Sequence, residues 1–211
     1  MVNNNKAYNL AKVSIMFAII CVAMTLDRVI SIIPVGFSMA AVSLLVTLSF
    51  CFLENKWLTA ILSGLFLGLA SFIKEFLMPT PTIGAVFPVQ YWLLITIPPR
   101  VLMTIFAFIV YQLMLEFTTK LAPRKRQIVS IAVATFAGLV LNTMGFFTML
   151  ELCRYWYGAE MQGIFVLIKA ILVTNIVPEY AISLIGVPLV VLGVRRGLKM
   201  GIDGSVISAE D

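Results

Sequence analysis

The chain has 211 residues, 61% of them hydrophobic and 12% charged, with a mean hydropathy of +1.05 and a formal net charge of +5. Soluble domains carry about 25% charged residues, so this composition excludes one and identifies an integral membrane protein. With no histidine in the sequence, imidazole bases, Ser-His pairs and His-bound zinc or haem are removed, and no metal site or resident cofactor is expected.

At about 20 residues per span, the chain crosses a bilayer about six times, as a single domain over 1–211 with no room for a separate soluble one. The first apolar stretch, Leu10 to Leu26, follows a polar start. It is longer than a signal h-region of about 7 to 15 residues, and no small-residue cleavage site follows, so it is expected to be a span. Six apolar segments are marked in chain order: Leu10–Ile33, Phe37–Leu53, Trp57–Leu77, Tyr91–Leu115, Ile128–Leu150 and Gly163–Val194. Runs of this length without alternation are helices, because lipid admits only helices or closed barrels. The predicted fold is an all-α bundle of six transmembrane helices.

Placing both termini in the cytoplasm puts ten Lys and Arg residues inside and five (Arg28, Lys74, Arg100, Arg154 and Lys169) outside or near the outer ends, as the positive-inside rule favours. The run Ala122-Pro-Arg-Lys-Arg-Gln then reads as a basic inner loop beside the lipid headgroups, and the net charge of +5 implies no nucleic acid. The loop from Met78 to Gln90 carries three prolines and a glycine and is expected over the outer mouth. Pro98-Pro99 is expected to restart the fourth helix and so to place Arg100 near a helix N-terminus, where anions are attracted. The cysteines Cys21, Cys51 and Cys153 are odd in number and lack ligand spacing, so they read as small apolar residues.

Polar residues gather toward the outer half. Asn142 and Asn175 fall at one depth, about 12 Å below the outer end. Glu179 lies one turn deeper than Asn175 on the same face, with Pro178 expected to kink the helix. An ionisable group at membrane depth is a functional candidate, although Glu179 also suits a structural pair with Lys169 or Arg100, and the two amides also suit bonds to each other. Lys74-Glu75 reads first as an interfacial pair with the lysine snorkelling. Trp57, Tyr91-Trp92 and Tyr155-Trp156-Tyr157 read first as an aromatic belt, and the last three neighbours also suit a lid over a ring-bearing ligand. Two stripes of small residues, Ala7, Ala11, Ser14 and Ala18 on the first helix and Ala60, Gly64 and Gly68 on the third, suit close helix packing within the bundle or docking of a partner helix.

Four features together resemble the substrate-binding S components of energy-coupling factor (ECF) vitamin transporters. They are the first-helix stripe, the Ile32-Ile-Pro-Val-Gly-Phe-Ser turn, Ile97-Pro-Pro-Arg-Val-Leu, and the pair Ala137-Gly-Leu-Val-Leu-Asn-Thr with Asn175-Ile-Val-Pro-Glu followed by Val194-Arg-Arg. The resemblance implies a high-affinity vitamin-binding subunit of a bacterial plasma membrane importer, with no ATPase of its own. A transmembrane coupling protein and two ATP-binding-cassette ATPases would be its partners. It implies a site at the outer ends of the last three helices, with Arg100 for an anionic group, Asn142, Asn175 and Glu179 for polar groups, and Trp156 as lid. Ala7, Ala11, Ser14 and Ala18 would form the docking face. The segment Ser71 to Arg100 is most similar to the pantothenate type. The rivals are an autonomous proton-coupled transporter using Glu179 and a membrane-embedded enzyme. The first expects inverted repeats and polar residues along both halves of a path, whereas the inner half reads as nearly all apolar; the second expects a partner carboxylate or nucleophile-base pair near Glu179, and none is evident.

Overall fold

The computed structural model describes residues 2–32, 40–79, 83, 86–158 and 176–201. Among them are six helices and no strand: α1 (Val2–Ile32), α2 (Ala41–Leu53), α3 (Trp57–Leu77), α4 (Val89–Phe117), α5 (Pro123–Tyr157) and α6 (Val177–Gly197). Five of these, all but α2, are long and apolar enough to cross a membrane. The turn from Ile33 to Ser38, Lys169, Asn175 and the first half of the predicted sixth segment lie outside the described residues.

Helix α2 departs from the expected span. It has 13 residues, so at about 1.5 Å per residue it is about 20 Å long, short of a hydrocarbon core of about 30 Å. It sits at the centre of the bundle, with Leu44, Leu48, Cys51 and Phe52 buried and α1, α3, α4 and α6 packed around it. Only a helix ringed by protein keeps its ends away from lipid, and those ends set most of the polar architecture.

Helix directions follow from the contacts at each end. At the end we call basal, Lys12 of α1 pairs with Glu54 just past α2, and Asn55 bonds Gln112 of α4. At the distal end Asp27 of α1 meets the start of α2. Helices α1 and α2 are therefore antiparallel, as are α3 and α4, whereas α2 and α6 run parallel. Helices α4 and α5 form a hairpin closed by Arg126 Nε donating to the Leu115 carbonyl at 3.0 Å and by the Thr118 and Ser130 hydroxyls at 3.2 Å. The basic run expected as a loop is the first turn of α5, with Pro123 at its start, the position proline favours because its missing N–H has no partner there.

Two proline expectations are corrected. Pro98 and Pro99 lie inside an unbroken α4 and do not restart it, so Arg100 is a mid-helix residue with no helix N-terminus beside it. The two missing N–H groups cost hydrogen bonds without ending the helix, because both faces are held by packing against α3 and α5. Pro178 stands in the first turn of α6 and opens the helix where a kink was expected.

The small residues of α3 serve packing. Ala60 is fully buried, and a Cβ built on Gly64 would lie 2.6 Å from the Arg100 carbonyl oxygen and 2.9 Å from Val101 Cα. Gly64→Ala is expected to force α3 and α4 apart at a cost of about 1–3 kcal/mol, read as a lowered thermal midpoint in detergent. An unchanged midpoint would contradict this packing. The α1 stripe is different: Ala7, Ala11, Ser14 and Ala18 are all exposed, while Met16, Ile20, Ala23, Met24 and Asp27 are buried. By the 3.6-residue repeat these are opposite faces of one helix, so the smooth face of α1 points away from the bundle.

Candidate functional site

Helix α2 begins Ala40-Ala41-Val42, which brings no side-chain oxygen to cap its own first turn. The amides are satisfied from other helices. Asp27 Oδ1 accepts from the Val42 N–H at 3.0 Å and Oδ2 from the Ser43 N–H at 2.9 Å, while Glu179 Oε1 of α6 accepts from the Ala40 N–H at 2.9 Å. Two carboxylates thus sit at the positive end of a helix dipole, making charge-assisted bonds to otherwise orphaned donors. This explains how Glu179 is tolerated in an apolar helix. Its partner is backbone, and Arg100 lies within electrostatic reach as well.

Arg100 stands on α4 between two acids, Glu179 and the buried Glu75 of α3. Its Nη1 donates to the Thr96 carbonyl at 2.9 Å. Thr96, in turn, bonds back to the Trp92 carbonyl at 2.7 Å, so this stretch of α4 turns its polar atoms inward just where the prolines remove two backbone donors. Lys74 approaches Glu75 at 3.8 Å, and Arg28 follows Asp27 on α1.

Helix α5 adds Asn142 at the same level. Gly138 approaches Met103 and Gly145 approaches Pro99, which brackets Asn142 opposite the Arg100 turn of α4. The Thr143 hydroxyl is 3.0 Å from the Tyr180 hydroxyl, so the residues next to Asn142 and Glu179 touch. Among the described residues, Asn142 Oδ1 is buried with no hydrogen-bond partner. Such an atom costs about 1–3 kcal/mol unless something fills it.

The structure therefore brings Arg100, Asn142 and Glu179 into one polar layer with Asp27, Arg28, Lys74 and Glu75. All six described helices contribute to it. Formal charges balance, three acids against three cations, but two of the acids are bonded to the amides of α2. The field left over at Arg100 favours an anion or a hydrogen-bond acceptor. Below the layer, Leu44, Leu48, Met103, Ala107, Leu139 and Val187 close the bundle toward the basal end.

Trp156 does not join this layer. It is exposed near the end of α5, thirteen residues beyond Thr143 or about 20 Å along the helix. Its neighbour Tyr157 packs instead on Tyr91 and Phe87, with ring centroids at 5.6 and 6.3 Å. The rings of Phe87, Tyr91 and Tyr157 cluster at the distal end beside the buried Trp92, whose indole N–H donates to the Phe87 carbonyl at 2.7 Å. Asp27 was the residue the sequence signalled least clearly: it is as anomalous in an apolar helix as Glu179, but its position near a helix end and the adjacent Arg28 make it look interfacial. Its burial at 3% exposure comes from the shortness of α2.

No protein-family model matches this chain, and no match is found among curated proteins or solved structures.

Proposed function

We propose that this chain is the membrane-embedded substrate-binding subunit of an ECF-type importer. It would take up a vitamin or related micronutrient that carries an anionic group, with pantothenate the best fit. The observation that carries this reading is the layer of Arg100, Asn142 and Glu179 in an otherwise apolar bundle, with a guanidinium that faces Glu75 and Glu179, the latter already engaged at the start of α2, and an amide oxygen left without a partner among the described residues. A carboxylate suits the first, and a hydroxyl or amide N–H the second. Asn175 and Trp156 complete the proposed ligand set, Asn175 one turn before Glu179 in sequence and Trp156 near the mouth.

The apolar packing beneath the layer favours binding from the distal side without passage, so release would need partners. The exposed face of Ala7, Ala11, Ser14 and Ala18 is where a transmembrane coupling protein would lie, with two ATP-binding-cassette ATPases supplying ATP hydrolysis. Six crossings, cytoplasmic termini and residence in a bacterial plasma membrane belong to the same proposal. The bond from the Ala40 N–H disfavours the proton-coupled alternative, since a carboxylate that holds a helix end is poorly placed to exchange protons through a transport cycle.

Native mass spectrometry of the detergent-purified protein tests the reading. A single small anion should co-purify, and added pantothenate should bind to the protein alone without accumulating in proteoliposomes that lack ATPases. Proton-driven accumulation by the protein alone would overturn it. Asn142→Ala should weaken ligand binding about tenfold, the worth of one hydrogen bond of about 1–1.5 kcal/mol, while leaving thermal stability equal or higher because an unpaired buried oxygen is removed. Unchanged affinity in a calorimetric titration would take Asn142 out of the site.

A further inference from the structure

A second cationic feature lies outside the layer's interior, between α1 and α3 at the distal end. The two helices leave a groove of about 150 Å³ walled by Met24, Ala70, Ile73 and Leu77, with Arg28 and Lys74 on it. Ile73 and Leu77 are 44% and 70% exposed, so the groove opens sideways, to the face of the bundle that lipid would cover. Arg28 and Lys74 lie within electrostatic reach of each other and repel.

The neighbouring acids offset them only in part, because Glu75 is shared between Lys74 and Arg100. Both oxygens of Asp27 are bonded to the amides of Val42 and Ser43, and Glu75 is turned into the bundle, 3.8 Å from Lys74. Snorkelling explains a lone lysine at a helix end. It does not explain Arg28, whose Nε is buried and has no hydrogen-bond partner among the described residues. A snorkelling arginine sends its guanidinium to water, whereas this half-buried one keeps its Nε donor away from it.

We propose that the α1–α3 groove holds one anionic phospholipid, its headgroup phosphate on Arg28 and Lys74 and an acyl chain along Met24, Ala70, Ile73 and Leu77. Charge complementarity and the lateral opening select this occupant: the groove pairs two cations with an apolar floor, and it is reached from the bilayer. The proposal does not depend on the identity of the ligand bound by Arg100 and Asn142.

The test uses the full chain in nanodiscs of phosphatidylcholine with and without phosphatidylglycerol, followed by native mass spectrometry of the lipids retained on release. Wild type should retain one phosphatidylglycerol in preference to phosphatidylcholine. At about 1 kcal/mol per cation near a headgroup, Arg28→Gln or Lys74→Gln should cut that preference about fivefold and the pair about 30-fold. Lys120→Gln, exposed on the other side of the hairpin, should change nothing. Leu77→Trp fills the groove from an exposed position with both cations intact, and should also displace the lipid even if the charge variants fail to fold. Equal retention of the two lipids, or full retention in the double variant or in Leu77→Trp, would overturn the proposal. So would stabilisation of the protein in pure phosphatidylcholine by glycerol phosphate to the level given by phosphatidylglycerol, since the occupant would then be a free phosphate.

Discussion

Arg100→Ala is expected to abolish ligand binding, lowering affinity by 100-fold or more, and to cost about 3–5 kcal/mol of stability, the typical penalty for leaving buried charges without their partner. The reason is its position between two acids. Glu75 is 1% exposed on the adjacent α3 and Glu179 stands on α6, and both are within electrostatic reach of this guanidinium. Removing it leaves the layer with three acids and two cations, and takes away the guanidinium proposed to receive the ligand's anionic group. Arg100→Lys should keep the fold, because a charge remains, yet bind at least tenfold more weakly, because an ammonium cannot hold the Thr96 carbonyl and a carboxylate with one planar fork. Glu179→Gln gives the complementary control: an amide oxygen still accepts from the Ala40 N–H, so stability should fall less than in Arg100→Ala. Calorimetric titration and thermal unfolding in detergent separate the two effects. If Arg100→Ala bound the ligand as wild type does, the proposed site would be lost whatever the stability.

The parts of this architecture that the sequence makes legible are those set by one helix at a time. The bounds of α3 are read to the residue, Trp57 to Leu77, because a charged turn precedes it and a proline-rich stretch follows. Counting residues along two apolar runs puts Asn142 level with Asn175, which lies outside the described residues, and one turn above Glu179, whereas the contact of Thr143 with Tyr180 brings Asn142 to the turn that carries Glu179. What depends on three helices at once is not legible. The dual capping of α2 by Asp27 and Glu179 requires knowing that α2 is short and central, whereas an apolar run gives no indication of whether its ends reach water. Proline is the other case: Pro98-Pro99 looks like a helix start by local rules, and tertiary packing on α3 and α5 overrides them. The two small-residue stripes show the limit most plainly. They have similar spacing, yet Gly64 and Gly68 touch α4 while Ala11 and Ala18 face outward, a difference that resides in the neighbours and not in the stripe.

Arg195 and Arg196 are adjacent in the sequence and read equally as a positive-inside pair, yet their substitution is expected to have opposite consequences. Arg195 is 2% exposed. Its Nη2 donates to the Phe52 carbonyl at 2.6 Å, its Nε to the Leu53 carbonyl at 3.2 Å and its Nη1 to the Tyr111 hydroxyl at 3.2 Å. The first two are terminal carbonyls of α2, at the negative end of its dipole, so α6 grips α2 at both ends, with Glu179 on the amides and Arg195 on the carbonyls. Arg195→Ala should therefore cost about 3–4 kcal/mol, since charged hydrogen bonds are worth about 1.5–3 kcal/mol each and the carbonyls left behind stay buried. Tyr111→Phe should cost about 1 kcal/mol, and Arg196→Ala, at an exposed position, less than about 0.5 kcal/mol. Thermal unfolding of the three variants orders them, and equal losses for Arg195→Ala and Arg196→Ala would refute the grip. Because the same helix carries Glu179 sixteen residues earlier, a loosened basal end frees α6 to slide along α2 and misplace the distal carboxylate. Arg195→Ala should then also weaken ligand binding, although the residue lies about 24 Å along the helix from Glu179 and contacts no part of the proposed site.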